Sequence, residues 1–406
     1  MKIFAFIEAR PIECAGIDYI RRLGYSPVLF TSMPAMNKQL YDDLDPGAFD
    51  AIHHVDTLDS RAVLDTIATH RLEIGAVLGC YDDMMIPAAE IAAALGLPHA
   101  SIDGLRNAFS KERARDVLRA RGYRQPRYQV IAADRLPPRP DTGFPCVVKP
   151  LRDAGAYGVS LCADEADYRR ALARIRDGGN LSMLGAPHRA FLVEEFVEGR
   201  FYGAELIHNG GRWHVIGINR IFVSPHDSLC MTGISHPSDL PDDDAQSLAA
   251  TIVEWVDALG LRGGALNVEF ILAPHGPVLV EINLRIAGAR AARQIALTTG
   301  VDMVAHLIDF VCGIDRPIEA RDGERYDFVA DAFVFSPARG RIDAISFEPR
   351  HAHYIASGFR RLPLESTSAS RNFGSVIGYV LAHGRSCDEA MQHAHALAQD
   401  VQVSVG

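Results

Sequence analysis

The stretch Gly263–Arg285, GGALNVEFILAPHGPVLVEINLR, decides the fold. Its two apolar runs read as β-strands, and APHGP is a turn signal between them. A turn symmetric about His275 sets Glu269 opposite Glu281 and Asn267 opposite Asn283. Alternation puts these four on one face, with Arg285 one step further along. Val268, Phe270, Val280, Ile282 and Leu284 fall on the other face, which is apolar and suits a core. Two carboxylates directly opposite each other repel, so a cation or water must lie between them. A solvated acidic face is one reading. A magnesium–nucleotide site is the other, because the face carries no lysine and offers carboxylate and amide oxygens, which Mg²⁺ takes together with water and phosphates.

Working outward, the 406 residues suffice for two or three domains with sizeable cores. A hydrophobic fraction of 48% and a charged fraction of 23% are those of a soluble globular chain. The net charge of −10 and the lack of any basic run argue against a nucleic-acid binder, yet leave room for a locally positive pocket. The N-terminal run before Glu8 is too short for a signal peptide, and no run reaches the roughly 18 apolar residues of a membrane span. Seven cysteines without a Cys-x-x-Cys pair suit small core residues in a reducing cytoplasm, and the expected location is cytoplasmic. Only four of the 41 basic residues are lysines: Lys2, Lys38, Lys111 and Lys149. In a chain so biased to arginine, an internal lysine suggests a need for a compact point charge.

From Met1 to Asn107, apolar strands alternate with amphipathic helices, which predicts a small parallel α/β domain. It lacks Gly-x-Gly-x-x-Gly, so a dinucleotide site is excluded. Ser110 is the expected N-cap of the next helix, closed by Gly122. FPCVVKPLRDAGAYGVSL is a strand ending in Lys149, a loop with Gly155 and Gly158, and a further strand. Such glycines let backbone N–H groups approach phosphate, although a surface hairpin fits equally. FLVEEFVEG is a buried strand that ends in acids, open to an adenine edge or to water. Ser224–Asp244 reads as irregular and holds His236, a ligand-loop or turn histidine. A single helix is expected from Ala289 to Cys312, then strands and one helix opened by a Ser386–Glu389 capping box. No covalent nucleophile stands out.

The order of these features resembles the ATP-grasp superfamily over essentially the whole chain, and within it the carboxylate–amine ligases that include bacterial L-amino acid ligases. The resemblance implies an α/β (α+β) ATP-grasp fold in three parts. These are a Rossmann-like pre-ATP-grasp domain (1–107), an ATP-grasp domain (108–312, lobes about 125–197 and 198–312), and a biotin-carboxylase-like α+β module (313–406) packed on the large lobe. It implies that Lys111 and Lys149 hold the phosphates of ATP and that the loop Gly155–Gly158 covers them. Adenine contacts fall to Glu194, Glu195, Phe196 and Val197, with Glu198 beside them. Glu269, Glu281 and Asn283 bind Mg²⁺, with Mn²⁺ open as a substitute. Arg285 is the catalytic residue and touches substrate, with Gly288 three residues beyond it and His236 as a further substrate contact.

Two departures stand out. Phe201 occupies the usual place of a ribose acid, which leaves Glu198 or Glu205 as substitutes, and Leu284 replaces a proline after Asn283. The function implied is an ADP-forming ligase acting through an acylphosphate on small carboxylate and amine substrates. Neither nucleic acid nor membrane is an expected partner, and homodimerisation is left open. Biotin-type carboxylation, a purine-pathway ligation and a non-catalytic nucleotide sensor are the alternatives.

Overall fold

The computed structural model describes residues 1–32, 44–151, 158–177, 188–224, 229–288, 290–366 and 375–406. Lys38, Gly155 and most of the expected phosphate loop therefore lie outside the described residues.

The N-terminal part comprises β1 (Ile3–Ile7), α1 (Pro11–Cys14), α2 (Ile17–Arg22), β2 (Ser26–Thr31), β3 (Ala51–His54), α3 (Ser60–Thr69), β4 (Ile74–Gly79), α4 (Asp82–Ala94) and α5 (Ile102–Phe109). Its sheet has the order β3-β2-β1-β4 and is parallel throughout. One face packs Val28, Phe30 and Val77 under α3 and α4. Phe4, Phe6 and Leu78 on the other face join Ile295, Met303 and Leu307 further along the chain. Each such large apolar side chain contributes about 2 kcal/mol on burial. Helix α4 begins earlier than PAAEIAAALGL suggests, since Pro87 lies inside it and not at its start.

Helix α6 (Lys111–Ala120) leads into a four-stranded sheet made by β5 (Tyr128–Ala132), β6 (Cys146–Pro150), β7 (Ser160–Cys162) and β8 (Ala190–Glu195), with α7 (Glu165–Arg176) packed on it. Its order is β5-β8-β6-β7. Ser110 does turn the chain into α6, but its hydroxyl makes no cap bond, so the backbone turn alone starts the helix.

The rest is dominated by one antiparallel eight-stranded sheet, order β13-β12-β9-β10-β11-β14-β18-β16. Its first part holds β9 (Arg200–Asn209), β10 (Arg212–Val223), β11 (Met231–His236), α8 (Asp242–Ala258), β12 (Ala265–Ala273), β13 (Gly276–Asn283), α9 (Ala291–Thr299) and α10 (Met303–Cys312). The C-terminal part holds β14 (Phe328–Phe335), β15 (Gly340–Ser346), β16 (Tyr354–Phe359), β17 (Leu364–Ser366), β18 (Val376–Gly384), α11 (Cys387–Gln399) and β19 (Gln402–Val405). Because β11 pairs with β14, the sheet runs unbroken from its first part into the C-terminal part.

Three expectations are corrected here. The stretch Ser224–Asp244 is not irregular throughout, because Met231–His236 is the internal strand β11. Gly233 is needed there: a Cβ would stand 2.1 Å from the Asp331 carbonyl. The expected long helix is two, bent by 106°. Gly300 ends the first at φ 79, and Asp302 caps the second by accepting from the Ala305 N–H. Among the described residues no single helix is long and apolar enough to cross a membrane. In α11, Ser386 caps the Glu389 N–H, while Glu389 reaches back to the N–H of Arg385 and not of Ser386.

His236 is the third. It is 2% exposed at the end of β11, its Nδ1 lies 2.6 Å from Thr298 Oγ1, and it packs over Gly217. It is a packing residue, not a wall of the cleft described below. Burial holds its pKa down to about 3. The unfolded chain, at about 6.5, takes up the proton first, so stability falls as pH drops from about 6.5 toward 3. At about pH 5 this group should cost about 2 kcal/mol. Urea midpoints should fall between neutral pH and pH 5, and His236→Asn should flatten that fall; an unchanged slope would rule out His236 as its source.

Candidate active site

The hairpin β12–β13 has the expected register at its base: Asn267 faces Asn283 and Glu269 faces Glu281. Beyond Glu269 a β-bulge shifts the pairing, so that Phe270 faces Leu279 and Val280 is the extra residue. Leu279, 1% exposed, thus takes the core place expected of Val280. Val268, Phe270, Ile282 and Leu284 fill the core under Trp255 and Leu259 as expected.

The polar face is mostly buried, with Glu269 and Glu281 half-buried along a cleft. Asn267 donates to Glu205 at 2.8 Å, and Asn283 donates both to Asn267 Oδ1 at 2.8 Å and to Glu269 at 3.2 Å. These bonds commit the Asn283 amide nitrogen and leave its oxygen as an acceptor. Glu205 is 0% exposed and also accepts the Ala287 N–H at 3.2 Å. It therefore braces the hairpin and is withdrawn as a ribose ligand, while Glu198 is exposed. Burial pushes Glu205 up to about 7, against the pull of its donors. Burial, and then Glu281, push Glu269 up to about 8.

The cation demanded by this pair comes from α6: Lys111 Nζ lies 3.0 Å from Glu281. The buried stripe of α6 is Lys111, Ala114, Arg115 and Leu118, so two cations occupy positions that helical spacing reserves for apolar side chains. Arg115 is 0% exposed and was not anticipated. It donates to Glu194 from Nε at 2.9 Å and to the carbonyl of the bulged Val280 at 3.1 Å. Lys149 pairs with the other oxygen of Glu194. Burial lowers Lys149 to about 8, although Glu194 opposes this. Burial would raise Glu194, but Arg115 and Lys149 hold it below the usual carboxylate range.

Arg285 binds neither hairpin glutamate. Its Nε donates to Asp82 at 2.8 Å, and the other oxygen of Asp82 accepts the Leu284 N–H at 2.9 Å. Asp82 sits in the first turn of α4, so the N-terminal domain orients Arg285.

A cleft of about 1210 Å³ gathers Lys111, Glu205, Asn267, Glu269, Glu281, Asn283, Arg285 and Gly288. Lys149, Gly158 and the stretch Glu194–Glu198 do not line it. Glu195 pairs with Arg127, and the N–H groups of Glu195 and Phe196 are bonded to Arg127 and Pro145 carbonyls. Among the described residues no group of three or more His, Cys, Asp or Glu is arranged to hold a metal. The hairpin instead offers two carboxylates and an amide oxygen, an all-oxygen set that fits Mg²⁺ completed by phosphates and water.

Residues 142–293 match the ATP-grasp domain family. Over its full length the chain superposes on an L-amino acid ligase from Bacillus licheniformis with a TM-score of 0.80 at 18% identity, covering 99% of that chain. The chain thus contains an ATP-grasp domain. Among curated proteins it is 28% identical to the uncharacterized protein y4rH of Sinorhizobium fredii over 304 residues, 73% of this chain and 60% of that one. It is 25% identical to the alanine–anticapsin ligase of Bacillus subtilis over 272 residues, 61% of this chain and 57% of that one. The chain thus spans less than two thirds of the length of these curated relatives.

Arg115→Met should destabilise the fold by about 3 kcal/mol, because it strips a buried carboxylate of one partner. Adding Glu194→Gln should restore part of that loss in urea denaturation. Strictly additive effects would mean that the pair is not coupled.

Proposed function

We propose that this protein is an ATP-dependent carboxylate–amine ligase that joins small amino acids or amino-acid-like metabolites, releasing ADP and phosphate. The observation that carries this reading is the cleft itself, where an oxygen-donor hairpin, Lys111 and Arg285 meet. The relative named as an alanine–anticapsin ligase and the fold neighbour named as an L-amino acid ligase support it.

A carboxylate does not acylate an amine at neutral pH, because its oxygen is a poor leaving group. In the proposed path the substrate carboxylate attacks the γ-phosphorus, the bond to ADP breaks, and an acylphosphate forms. The amine then attacks the acyl carbon, phosphate leaves, and the amine proton passes to solvent. Mg²⁺ held by Glu269, Glu281 and Asn283 would neutralise phosphate charge. Lys111 and Lys149 bind phosphate oxygens, and Glu194 with Arg115 positions Lys149. This gives Glu194 a phosphate-side role, which leaves Glu195, Phe196 and Val197 as the adenine strand. Arg285, fixed by Asp82, receives the carboxylate and the developing charge, since a guanidinium stays charged throughout. Such positioning and charge neutralisation are the main sources of rate in phosphoryl transfer.

Glu281→Gln should abolish ADP release while leaving circular dichroism unchanged; turnover near wild type would remove the hairpin from the metal site. Arg285→Ala should slow turnover on the order of 100-fold with a much smaller loss of ATP affinity. Equal losses in both would make Arg285 a nucleotide residue. Hydroxylamine should trap the acylphosphate as a hydroxamate with ADP as co-product. AMP as co-product would refute the acylphosphate path, and ADP release dependent on bicarbonate and biotin would favour carboxylation.

A further inference from the structure

Past the hairpin, the same cleft continues to a wall built by β14, β16 and β18 and lined by Phe333, Gly358, Phe359, Gly378 and Tyr379. Tyr379 lies directly across the ladder from Gly358, and Phe359 across from Gly378. A Cβ on Gly358 would stand 2.5 Å from the Tyr379 ring, and one on Gly378 2.4 Å from the Phe359 ring. Each ring therefore lies over a cross-strand glycine that must remain a glycine. Tyr379 and Phe333, paired across the ladder, share one face and form an aromatic platform, whereas Phe359 packs on the opposite face with Val334, Val380 and Leu397.

Arg290 stands on this platform. Its guanidinium carbon is 3.4 Å from the centre of the Tyr379 ring and 5.8 Å from that of Phe333. Its backbone is left-handed, at φ 61, an uncommon state for a residue other than glycine. Its Nε donates to Asp331 at 3.2 Å. Asp331 is 0% exposed and is itself held by the Ile234 N–H at 3.0 Å and by Gln294 at 3.2 Å. Nε and one ring face are thus occupied, while among the described residues no hydrogen-bond acceptor meets the two terminal nitrogens. That edge is the part of a guanidinium that grips a carboxylate with two parallel bonds. Arg293 and Arg360 also line the cleft.

A ligase needs two carboxylate sites of different kinds. The donor's carboxylate is consumed and must reach the phosphate beside the hairpin and Arg285. An acceptor amino acid keeps its own carboxylate, which must be held clear of that chemistry. Resting on the ligase reading, we propose that this wall binds the acceptor amino acid, with Arg290 taking its carboxylate and Tyr379 and Phe333 taking a large apolar or aromatic side chain.

The test compares L-phenylalanine, L-leucine and L-alanine with their primary amides as acceptors, in wild type, Arg290→Gln and Tyr379→Leu. Hydroxylamine replaces the acceptor in a parallel series that reads the donor side alone. Wild type should prefer each acid over its amide by about 30-fold in kcat/KM, the worth of a charge-assisted pair. Arg290→Gln should erase that preference, with its cost on the acceptor's KM and not on the donor's. Tyr379→Leu should reduce the preference for phenylalanine over alanine while keeping that for acid over amide. Retained acid preference in Arg290→Gln, or a rise in the donor's KM instead, overturns the assignment. Failure to form any hydroxamate from any acid would sink the ligase reading and this proposal with it; hydroxamate formation without acid-over-amide discrimination sinks this proposal alone.

Discussion

Glu269 and Glu281 face each other across a hairpin, and most of the surrounding structure answers that repulsion. At an effective dielectric of about 20, two like charges about 4 Å apart oppose each other by about 4 kcal/mol. The positions beside them are amides, Asn267 and Asn283, which extend the face without adding charge. Lys111 answers Glu281 from one side, and Glu269 is left with a proton affinity far above that of an ordinary carboxylate. A face built this way is poised for a small divalent cation.

Supplying cations from outside the hairpin ties the folding units together at this point. Helix α6 brings Lys111 to β13 and, one turn on, Arg115 to Glu194 of the neighbouring four-stranded sheet. The N-terminal domain sends Asp82 to Arg285, and its Arg10 donates to the Ile286 carbonyl at 3.1 Å. The cleft is a junction, and its geometry depends on how those units dock.

The sequence made the hairpin legible because a β-ladder pairs residues by simple alternation, and two acids with two asparagines in mirror order leave few registers. Lysine scarcity made Lys111 and Lys149 visible for the same reason: a rare residue in an arginine-rich chain stands out. Arg115 was hidden by that richness, as one more arginine in KERARDVLRARG; only its place on the apolar stripe, four residues after Lys111, could have marked it. The strand β11 escaped because MTGISH alternates weakly and contains Gly233, whose need arises from a close backbone approach across the sheet. His236 looked like a loop residue only while that strand was unseen. The break between α9 and α10 was written in Gly300 and Asp302, but a continuous apolar pattern masked it.

The bulge at Val280 has a consequence for how this chain can vary over evolutionary time. In an unbroken ladder, adding or removing one residue at the turn would turn every side chain beyond it to the opposite face. Here the register already slips by one between the base, Asn267–Glu269, and the tip, Phe270–Ala273. Arg115 pins the slip from outside by gripping the Val280 carbonyl. The exposed turn at Pro274 and His275 can therefore drift in length and composition, while the base inherits its pairing from β9, where Asn267 meets Glu205. The polar face is insulated from its own loop.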